Sequence, residues 1–390
     1  LTQLAPKVGD RSFDHVFFSS SGSESNDTNV RMVRRYWDLL GQPERKTIIS
    51  RHNAYHGSTM AGASLGGMSG MHAQGDLPIP GIVHIDQPYF EENALAGESE
   101  HDFGLRMARQ LEAKILEIGA DKVAAFIGEP VQGAGGVIIP PDSYWPEIQR
   151  IVDQYGILLI SDEVICAFGR TGHWFAYEKF GYKPDLVTFA KGVTSGYIPL
   201  GGVMVGNRVA KVLIEKGGEF NHGYTYSGHP VACAVALANL QIMEQEKLVD
   251  KIKNDSGPYL AEKFEKDGIK TVYPGLKSHP SHEIYKNMIN PEYGFGGMMT
   301  IDVGTLAKAN ELMELMQSKN LGYLAVSLGF YKTLFSAPGT STSSEIPIEE
   351  QLKMGLTDGL IRFSIGLDNS IERTYEMMKT CMIELGILKK

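Results

Sequence analysis

Two residues of complementary chemistry follow two apolar runs of the sequence. The run from Ile157 to Ile160 leads to Asp162, and the run from Leu186 to Ala190 leads directly to Lys191. Both runs have the length and composition of buried parallel strands. A lysine at the carboxyl edge of such a sheet can form a Schiff base. A carboxylate beside it can keep a pyridine nitrogen protonated, so that the ring withdraws electrons.

This combination is the chemistry of pyridoxal phosphate. Each residue alone has a simpler interpretation, a surface lysine or an aspartate that caps the next element, and the surrounding sequence decides between them. Asp162 lies in SDEVICAFGRTG, and Lys191 lies in FAKGVTSGYIPLGGV, 29 positions further on (191 minus 162). From about Asp14 to about Leu248 the sequence resembles the class III aminotransferases, particularly the omega-transaminases that use pyruvate as amino acceptor.

Strand and helix patterns alternate along this part of the chain, which indicates an α/β domain with a largely parallel sheet. The resemblance implies the aspartate-aminotransferase-like fold of pyridoxal-phosphate-dependent transferases, fold type I. It has a mostly parallel, seven-stranded sheet in a large domain and a smaller α+β carboxyl-terminal domain. We expect the large domain over residues 1–247, a connecting helix over 248–271 and the small domain over 272–390.

The resemblance also implies roles for the pair. Lys191 would hold the cofactor as a Schiff base and then move a proton between the substrate and the cofactor, while Asp162 would keep the pyridine nitrogen protonated. The reaction would transfer an amino group from an amine or amino acid to a 2-oxo acid such as pyruvate.

A small-residue turn near the start of the chain carries a phosphate signal. Val16 to Ser19 has the pattern of a strand, SSSGSES follows it, and Asp27 to Leu40 has the pattern of a helix. Free N–H groups and the helix dipole attract anions at such a helix start. Most turns of this composition are plain loops, but this one matches the family motif, which places the cofactor phosphate at Ser21, Gly22 and Ser23.

Further cofactor contacts follow two other strand patterns and Asp162 itself. The resemblance places Tyr55 and Val164 on the two faces of the cofactor ring, with His56 beside Tyr55. It also places Glu129, at the end of an apolar strand, close to the cofactor. For His56, a hydrogen-bonded structural histidine is an equally good interpretation.

In the family, the threonine of the NHGYTYSGHP motif, Thr225, reaches the phosphate in the neighbouring subunit's site. This implies a homodimer with shared active sites. A threonine that only caps a turn remains the alternative.

The last third of the chain has a different resemblance. From about Val272 to the end, motifs that include YLAVSLGFYKTLF and LIRFSIGLDN resemble the carboxyl-terminal domain of Cys/Met-metabolism enzymes such as methionine gamma-lyase and cystathionine gamma-lyase. That resemblance implies that Arg362 pairs with a substrate carboxylate and that Ser327 lies close by. The planar guanidinium suits a carboxylate, although a structural ion pair is the alternative.

Two families in one chain suggest a chimera, with the join near residues 248–273. They leave three functions open: aminotransfer, β- or γ-elimination on sulfur amino acids, and cofactor binding without turnover. The oligomer could be the dimer of the first family or the tetramer of the second. About twenty residues precede SGSES, so we expect that the stretch that helps to cover the site in class III enzymes is missing.

The composition of the chain limits the classes of molecule that it is expected to bind. The net charge of −9 and the pI near 5.7 argue against nucleic acid and anionic membranes as partners. Three separated cysteines show no metal-ligand spacing and fit a reducing compartment. No signal peptide or transmembrane pattern is present, so a cytoplasmic enzyme with small-molecule substrates and no metal is expected.

Overall fold

The computed structural model describes residues 1–7, 11–249, 256–289, 294–327, 332–343, 346–366 and 370–389. The chain divides into two compact units, a large unit, Leu1–Leu240, and a small unit, Gln241–Lys390. The division lies seven residues before the domain boundary predicted after residue 247 (247 minus 240).

The large unit contains a seven-stranded sheet with the order β1-β7-β6-β5-β4-β2-β3. Strands β2 to β6 run parallel to one another, and β7 is antiparallel to both of its neighbours, β6 and β1. The strands are β1 (Phe13–Ser19), β2 (Thr47–Arg51), β3 (Ile82–Ile85), β4 (Val123–Gly128), β5 (Leu158–Asp162), β6 (Leu186–Phe189) and β7 (Gly201–Gly206). The predicted mostly parallel, seven-stranded sheet is therefore confirmed.

Helices connect these strands, as expected for parallel neighbours, which need a crossover. They are α1 (Gly22–Leu39), α2 (Met60–Leu65), α3 (Ser69–Gly75), α4 (Phe90–Asn93), α5 (Glu100–Ile118), α6 (Tyr144–Tyr155), α7 (Ala176–Lys179), α8 (Asn207–Gly217) and α9 (Pro230–Gln245). A 3₁₀ turn, Lys191–Thr194, follows β6.

Two local predictions differ from the structure. The first helix starts at Gly22, five residues before the predicted start at Asp27 (27 minus 22). Ser21 explains the early start, because its hydroxyl accepts a hydrogen bond from the Glu24 amide and so caps the helix. Residues 66–81, whose Gly, Met and Pro content predicts an irregular loop, contain the short helix α3.

The central strands are buried along their whole length. All residues of β4, β5, β6 and β7 are buried, as expected for a sheet that is covered by helices on both faces. Ile48, Ile127 and Ile160 pack in one apolar cluster with Val33 of α1 and Val209 of α8. This packing fixes the strand ends, from which the candidate site is built.

The small unit contains a five-stranded sheet with the order β10-β11-β12-β9-β8. Its strands are β8 (Lys270–Val272), β9 (Met298–Asp302), β10 (Tyr323–Leu324), β11 (Leu334–Ser336) and β12 (Leu360–Ser364). Its helices are α10 (Ser256–Lys266), α11 (His282–Met288), α12 (Leu306–Ser318), α13 (Ile348–Lys353) and α14 (Ile371–Glu384), with a 3₁₀ turn at Pro338–Thr340. The predicted α+β character is present.

The segment 248–271, predicted as a connecting helix, is divided in the structure. It contains α10 and the start of strand β8, and residues 250–255 lie outside the described part. Within the described residues, no helix has both the length and the apolar character that a membrane span requires.

Candidate active site

A cavity of about 390 Å³ opens in the large unit at the carboxyl edge of the sheet. Its lining comes from the segments that follow β1, β2, β4, β5 and β6, where open α/β sheets bind ligands. The lining residues are Ser20, Ser21, Gly22, Ser23, Asn26, Tyr55, His56, Gly57, Glu129, Asp162, Val164, Ile165, Ala190, Lys191, Thr194, Gly196, Ile198, Pro199 and Leu200.

Nine residues predicted for the site line this one cavity: Ser21, Gly22, Ser23, Tyr55, His56, Glu129, Asp162, Val164 and Lys191. They are separated by up to 170 positions in sequence (191 minus 21). Thr225 also belongs to the large unit but does not line the cavity. Arg362 and Ser327 belong to the small unit.

Asp162 is a buried carboxylate held by three hydrogen bonds. Its Oδ2 atom accepts from His56 Nδ1 at 2.8 Å and from Asn26 Nδ2 at 2.7 Å. Its Oδ1 atom accepts from the Val164 amide at 3.1 Å. Three donors hold the carboxyl group in a fixed orientation. Such a group can hold a protonated ring nitrogen.

His56 combines both predicted interpretations. It lines the cavity, and it is a buried histidine hydrogen-bonded to Asp162. Because a carboxylate can only accept, His56 Nδ1 carries the proton in this contact. Its Nε2 atom is buried and has no hydrogen-bond partner among the described residues. His56 therefore supports the orientation of Asp162.

The start of α1, where the phosphate is predicted to bind, lines the cavity. The Glu24 amide donates to the Ser21 hydroxyl, and the Ser25 amide donates to the Ser21 carbonyl. The amides of Gly22 and Ser23 precede the first intrahelical hydrogen bond, so they are free to bind a ligand. A Cβ atom on Gly22 would lie 2.8 Å from Val164 Cγ2, so only glycine fits at this point.

Lys191 lies two residues after the end of β6 and has a strained backbone. Its φ angle is 43°, a left-handed conformation that residues with side chains rarely adopt. Strain of this kind costs about 1–3 kcal/mol and concentrates at functional sites. The surrounding protein atoms lower the pKa of the Lys191 ammonium by desolvation, and the carboxyl groups of Asp162 and Glu129 partly oppose this. The lysine is thus biased toward the neutral amine that a Schiff base requires.

Glu129 links two segments of the cavity wall. Its Oε1 accepts from the Tyr55 amide at 3.1 Å, and its Oε2 accepts from the Gly133 amide at 3.0 Å. Burial raises the pKa of Glu129, which is 2% exposed. Tyr55 is thereby fixed through its backbone, while its hydroxyl lies 3.1 Å from the Ser58 hydroxyl.

Glu163, next to Asp162, turns away from the cavity. Its carboxyl oxygens accept from the amides of Ala176 and Tyr177 at 2.9 and 2.8 Å, at the start of α7. Burial raises the pKa of Glu163 to about 8. Adjacent carboxyl groups therefore have different functions: Asp162 lines the cavity, and Glu163 anchors the segment after β5.

Thr225 is exposed on a loop that is attached to α1. The neighbouring Tyr224 donates from its hydroxyl to the Glu24 carbonyl at 2.9 Å. The His222 ring, two residues further back, lies 2.8 Å from the Thr28 hydroxyl. The loop thus presents Thr225 outward, close to the first turns of α1.

Arg362 and Ser327 lie close together in the small unit. Arg362 Nη2 donates to the main-chain carbonyls of Val326 at 3.0 Å and Ser327 at 3.4 Å. Its Nε atom is buried without a hydrogen-bond partner, and no carboxylate of the described residues forms an ion pair with it. The alternative interpretation, a structural ion pair, therefore finds no support in the described residues.

Sequence reasoning missed two buried residues, Asn26 in the cavity wall and Arg51, which contacts the lining residue Glu129. The sequence pattern puts Asn26 before the predicted helix start, whereas the early helix start places Asn26 and Asn29 on one helix face. Both contact the Thr188 hydroxyl of β6, at 2.9 and 2.7 Å. Arg51, the last residue of β2, carried no signal except its position after an apolar run.

The donor set fits pyridoxal phosphate. Main-chain amides at a helix start can bind a phosphate, and the buried Asp162 can bind a pyridinium nitrogen. Lys191, whose pKa is lowered by burial, can react with an aldehyde. Sheet topology and site together define a pyridoxal-phosphate-dependent enzyme of fold type I.

Comparison with known proteins identifies the family within this class of enzymes. Residues 1–272 match the family described as aminotransferase class-III. The chain belongs to this family, whose cofactor is pyridoxal phosphate. Residues 251–377 also match the family described as Cys/Met metabolism PLP-dependent enzyme. Both resemblances seen in the sequence are therefore confirmed.

Curated relatives are named aminotransferases. Putrescine–pyruvate aminotransferase of Pseudomonas aeruginosa is 49% identical over 327 residues, which are 83% of this chain and 67% of that protein. Gamma aminobutyrate transaminase 2 of Solanum lycopersicum is 50% identical over 250 residues, 63% of this chain and 54% of that protein. At 327 residues, the first alignment extends past Leu248, the limit that the motifs predict. The chain spans about half to two thirds of these relatives.

Solved structures agree with this placement. A structure described as a transaminase with L-Ala has a TM-score of 0.71 at 33% identity, covering 99% of this chain and 82% of that one. The omega-transaminase from Pseudomonas jessenii in complex with PMP has a TM-score of 0.72 at 32% identity, with coverages of 98% and 77%.

Proposed function

We propose that this protein is a pyridoxal-phosphate-dependent aminotransferase that moves an amino group from an amine or amino acid to a 2-oxo acid such as pyruvate. The observation that carries the proposal is the convergence of Lys191, Asp162 and the start of α1 on one cavity. The bound cofactor would supply an electron-withdrawing ring that stabilises negative charge at the substrate carbon.

The residues of the cavity have separate tasks in this proposal. Lys191 would hold the cofactor and would carry a proton as general acid and base. Asp162, supported by His56, would keep the ring nitrogen protonated. Ser21, Gly22 and Ser23 would bind the phosphate. Tyr55 and Val164 would contact the ring, and Glu129 would orient Tyr55.

The substrate and partner assignments rest on residues outside the cavity. Arg362, with Ser327 beside it, would bind the carboxylate of an amino acid or 2-oxo acid. Thr225 would reach the phosphate of a second subunit, which calls for a homodimer; its outward position on the loop supports this. The named relatives suggest an ω-amine such as putrescine as donor. They do not favour elimination on sulfur amino acids, which we do not propose.

Cofactor loading tests the proposal directly. Borohydride reduction of the loaded protein, followed by peptide mapping, should label Lys191; a label on another lysine would overturn the assignment. The second step adds an amine without a carboxylate and follows the visible absorption of the cofactor. Conversion to the amino form supports aminotransfer. Loading at Lys191 without any conversion would instead mean a binding protein without turnover.

The composition and the family also suggest a cytoplasmic location, and the two family matches suggest a chimeric origin. Both remain predictions. Sedimentation of the loaded protein would distinguish the dimer from the tetramer or monomer.

A further inference from the structure

Arg51 is a fully buried arginine at the carboxyl end of β2, with 0% of its surface exposed. No carboxylate of the described residues forms an ion pair with it. Its Nη2 atom donates instead to the main-chain carbonyl of Glu129 at 2.5 Å. Its guanidinium also lies 5.4 Å from the centre of the Trp145 ring. Burying a charge without a counter-charge is unfavourable, so the burial of Arg51 requires an explanation.

Strand β4, which pairs with β2, ends in a glycine beside this guanidinium. A Cβ atom on Gly128, the last residue of β4, would lie 3.2 Å from Arg51 Nη2 and 3.0 Å from Trp145 Cη2. Trp145 in turn donates from Nε1 to the carbonyl of Pro130 at 3.1 Å. Two buried donors, one from β2 and one from α6, therefore hold the consecutive carbonyls of Glu129 and Pro130.

The side chain of Glu129 lies on the cavity side of this turn. It lines the cavity and accepts from the amides of Tyr55 and Gly133. The backbone ladder between β2 and β4 has its last pair at Ile49 and Phe126. Arg51 continues the connection by a side chain beyond the point where backbone pairing ends.

We propose that Arg51 is a positioning residue, which fixes the Glu129 peptide and thereby the Glu129 carboxyl group in the cofactor cavity. The cation is retained because a guanidinium can stack on Trp145 and donate to a carbonyl at the same time. Its Nε and Nη1 atoms have no hydrogen-bond partner among the described residues. Besides its hydrogen bond to the Glu129 carbonyl, the guanidinium lies 5.9 Å from the centre of the Tyr144 ring and partly opposes the rise in the Tyr144 pKa that burial causes. The inference rests on the proposed function, because Glu129 there orients Tyr55 for contact with the cofactor ring.

Two kinds of variant test this inference. Arg51→Met removes the donor, whereas Gly128→Ala keeps Arg51 and crowds both its guanidinium and the Trp145 ring. Arg208→Met is a matched control, because Arg208 Nη2 also donates to a main-chain carbonyl, that of Gly156 at 2.8 Å. Apo protein is titrated with pyridoxal phosphate, and binding is followed by the quenching of tryptophan fluorescence.

We expect Arg51→Met and Gly128→Ala each to weaken cofactor affinity by about tenfold, the change that corresponds to the loss of one good hydrogen bond. Arg208→Met should lower stability and leave the affinity unchanged. In a Glu129→Ala background, Arg51→Met should weaken the affinity no further, because coupled residues are not additive. Arg51→Lys, which retains a donor, should recover part of the loss.

Additive losses in the double variant would overturn the inference, since Arg51 would then act independently of Glu129. A crystal structure of the apo Arg51→Met protein provides a second test, which requires no cofactor. Glu129 still bonded to the Tyr55 and Gly133 amides would refute the positioning role. A wild-type protein that takes up no cofactor at Lys191 would refute the proposed function, while this structure would still decide the role of Arg51. If Arg51→Met fails to fold, Gly128→Ala supplies both measurements.

Discussion

His56 donates from its Nδ1 atom to Asp162 Oδ2 over 2.8 Å, and both side chains are buried. Because the same oxygen accepts from Asn26 and the other oxygen accepts from the Val164 amide, the carboxylate has a single supported orientation. Helix α1, the segment after β2 and strand β5 all contribute to it. The position of this one charge therefore depends on three elements that are distant in sequence.

Replacing Asp162 by asparagine should remove the negative charge of the side chain and keep its shape. Asp162→Asn keeps the size of the side chain, so the cofactor should still bind, but the neutral amide cannot stabilise a protonated ring nitrogen. We expect the conversion by an amine to slow by about 100-fold or more, the range for lost electrostatic stabilisation. Single-turnover absorption measures this rate.

The matched control is Asp185→Asn. Asp185 is also buried, and it accepts from the Leu159 amide at 2.9 Å and pairs with Arg208. This control should lose stability but keep the single-turnover rate of the loaded protein. An unchanged rate in Asp162→Asn would remove Asp162 from the mechanism.

Asn26 connects Asp162 to β6 and should be important for stability. Its Nδ2 donates to Asp162 and, at 2.8 Å, to the His56 carbonyl, and its Oδ1 accepts from Thr188 and Asn29. Asn26→Ala leaves several buried polar groups unsatisfied, which should cost about 1–3 kcal/mol. Urea unfolding of the apo protein measures the loss. Asn207→Ala, which removes contacts to Ser12 and Asp14 in a more exposed place, should cost less; equal losses would contradict this account.

The buried carboxyl group of Glu163 should make stability depend on pH. Burial raises the pKa of Glu163 from 4.5 to about 8, so the folded protein holds a proton that the unfolded chain releases. By linkage, this stabilisation is fully present below pH 4.5 and is lost as the pH rises toward about 8. Glu163→Gln cannot ionise, and it should therefore remove this dependence.

Urea unfolding of the apo protein across that range provides the measurement. In Glu163→Gln, the NH₂ group of the new side chain faces the N–H donor of Ala176 or Tyr177, so the variant should be less stable than wild type at low pH. The difference should shrink as the pH rises, because only wild type loses stability through this group. A difference that stays constant with pH would show that Glu163 is ionised throughout. Glu178→Gln, at an exposed position in α7, serves as the control.

Sequence reasoning located the residues that end strands, because strand length and burial are local properties of the chain. Asp162 ends β5 and Lys191 follows β6, and these strands pair side by side in the sheet, so their proximity could be inferred from two apolar runs. Ser21 and Gly22 could be placed in the turn after the first strand for the same local reason, whereas the pattern predicts the helix start only at Asp27. The seven-stranded sheet itself was expected from the resemblance rather than derived from the pattern.

Contacts that depend on packing could not be inferred in this way. Arg51 appears in the sequence as a charged residue after a strand, and its burial against Trp145 depends on an α6 side chain almost a hundred positions later. Asn26 was missed because the capping hydroxyl of Ser21 starts α1 earlier than the apolar pattern does. The role of Thr225 could not be derived from one chain, because the phosphate that it is predicted to reach lies in the site of another subunit.

The last prediction concerns carboxylate recognition by Arg362. Its Nη2 atom is oriented by the Val326 and Ser327 carbonyls, and burial lowers the pKa of its guanidinium without a carboxylate to oppose this. If this guanidinium binds the substrate carboxylate, Arg362→Ala should raise the KM for a 2-oxo acid by at least about tenfold, as expected for a lost charge-assisted pair. The KM for an amine donor without a carboxylate should hardly change. Arg373→Ala, at an exposed position in α14, should alter neither constant. Equal losses for both substrates in Arg362→Ala would mean that the arginine supports the fold of the small unit, because only a residue that contacts the carboxylate can distinguish the two.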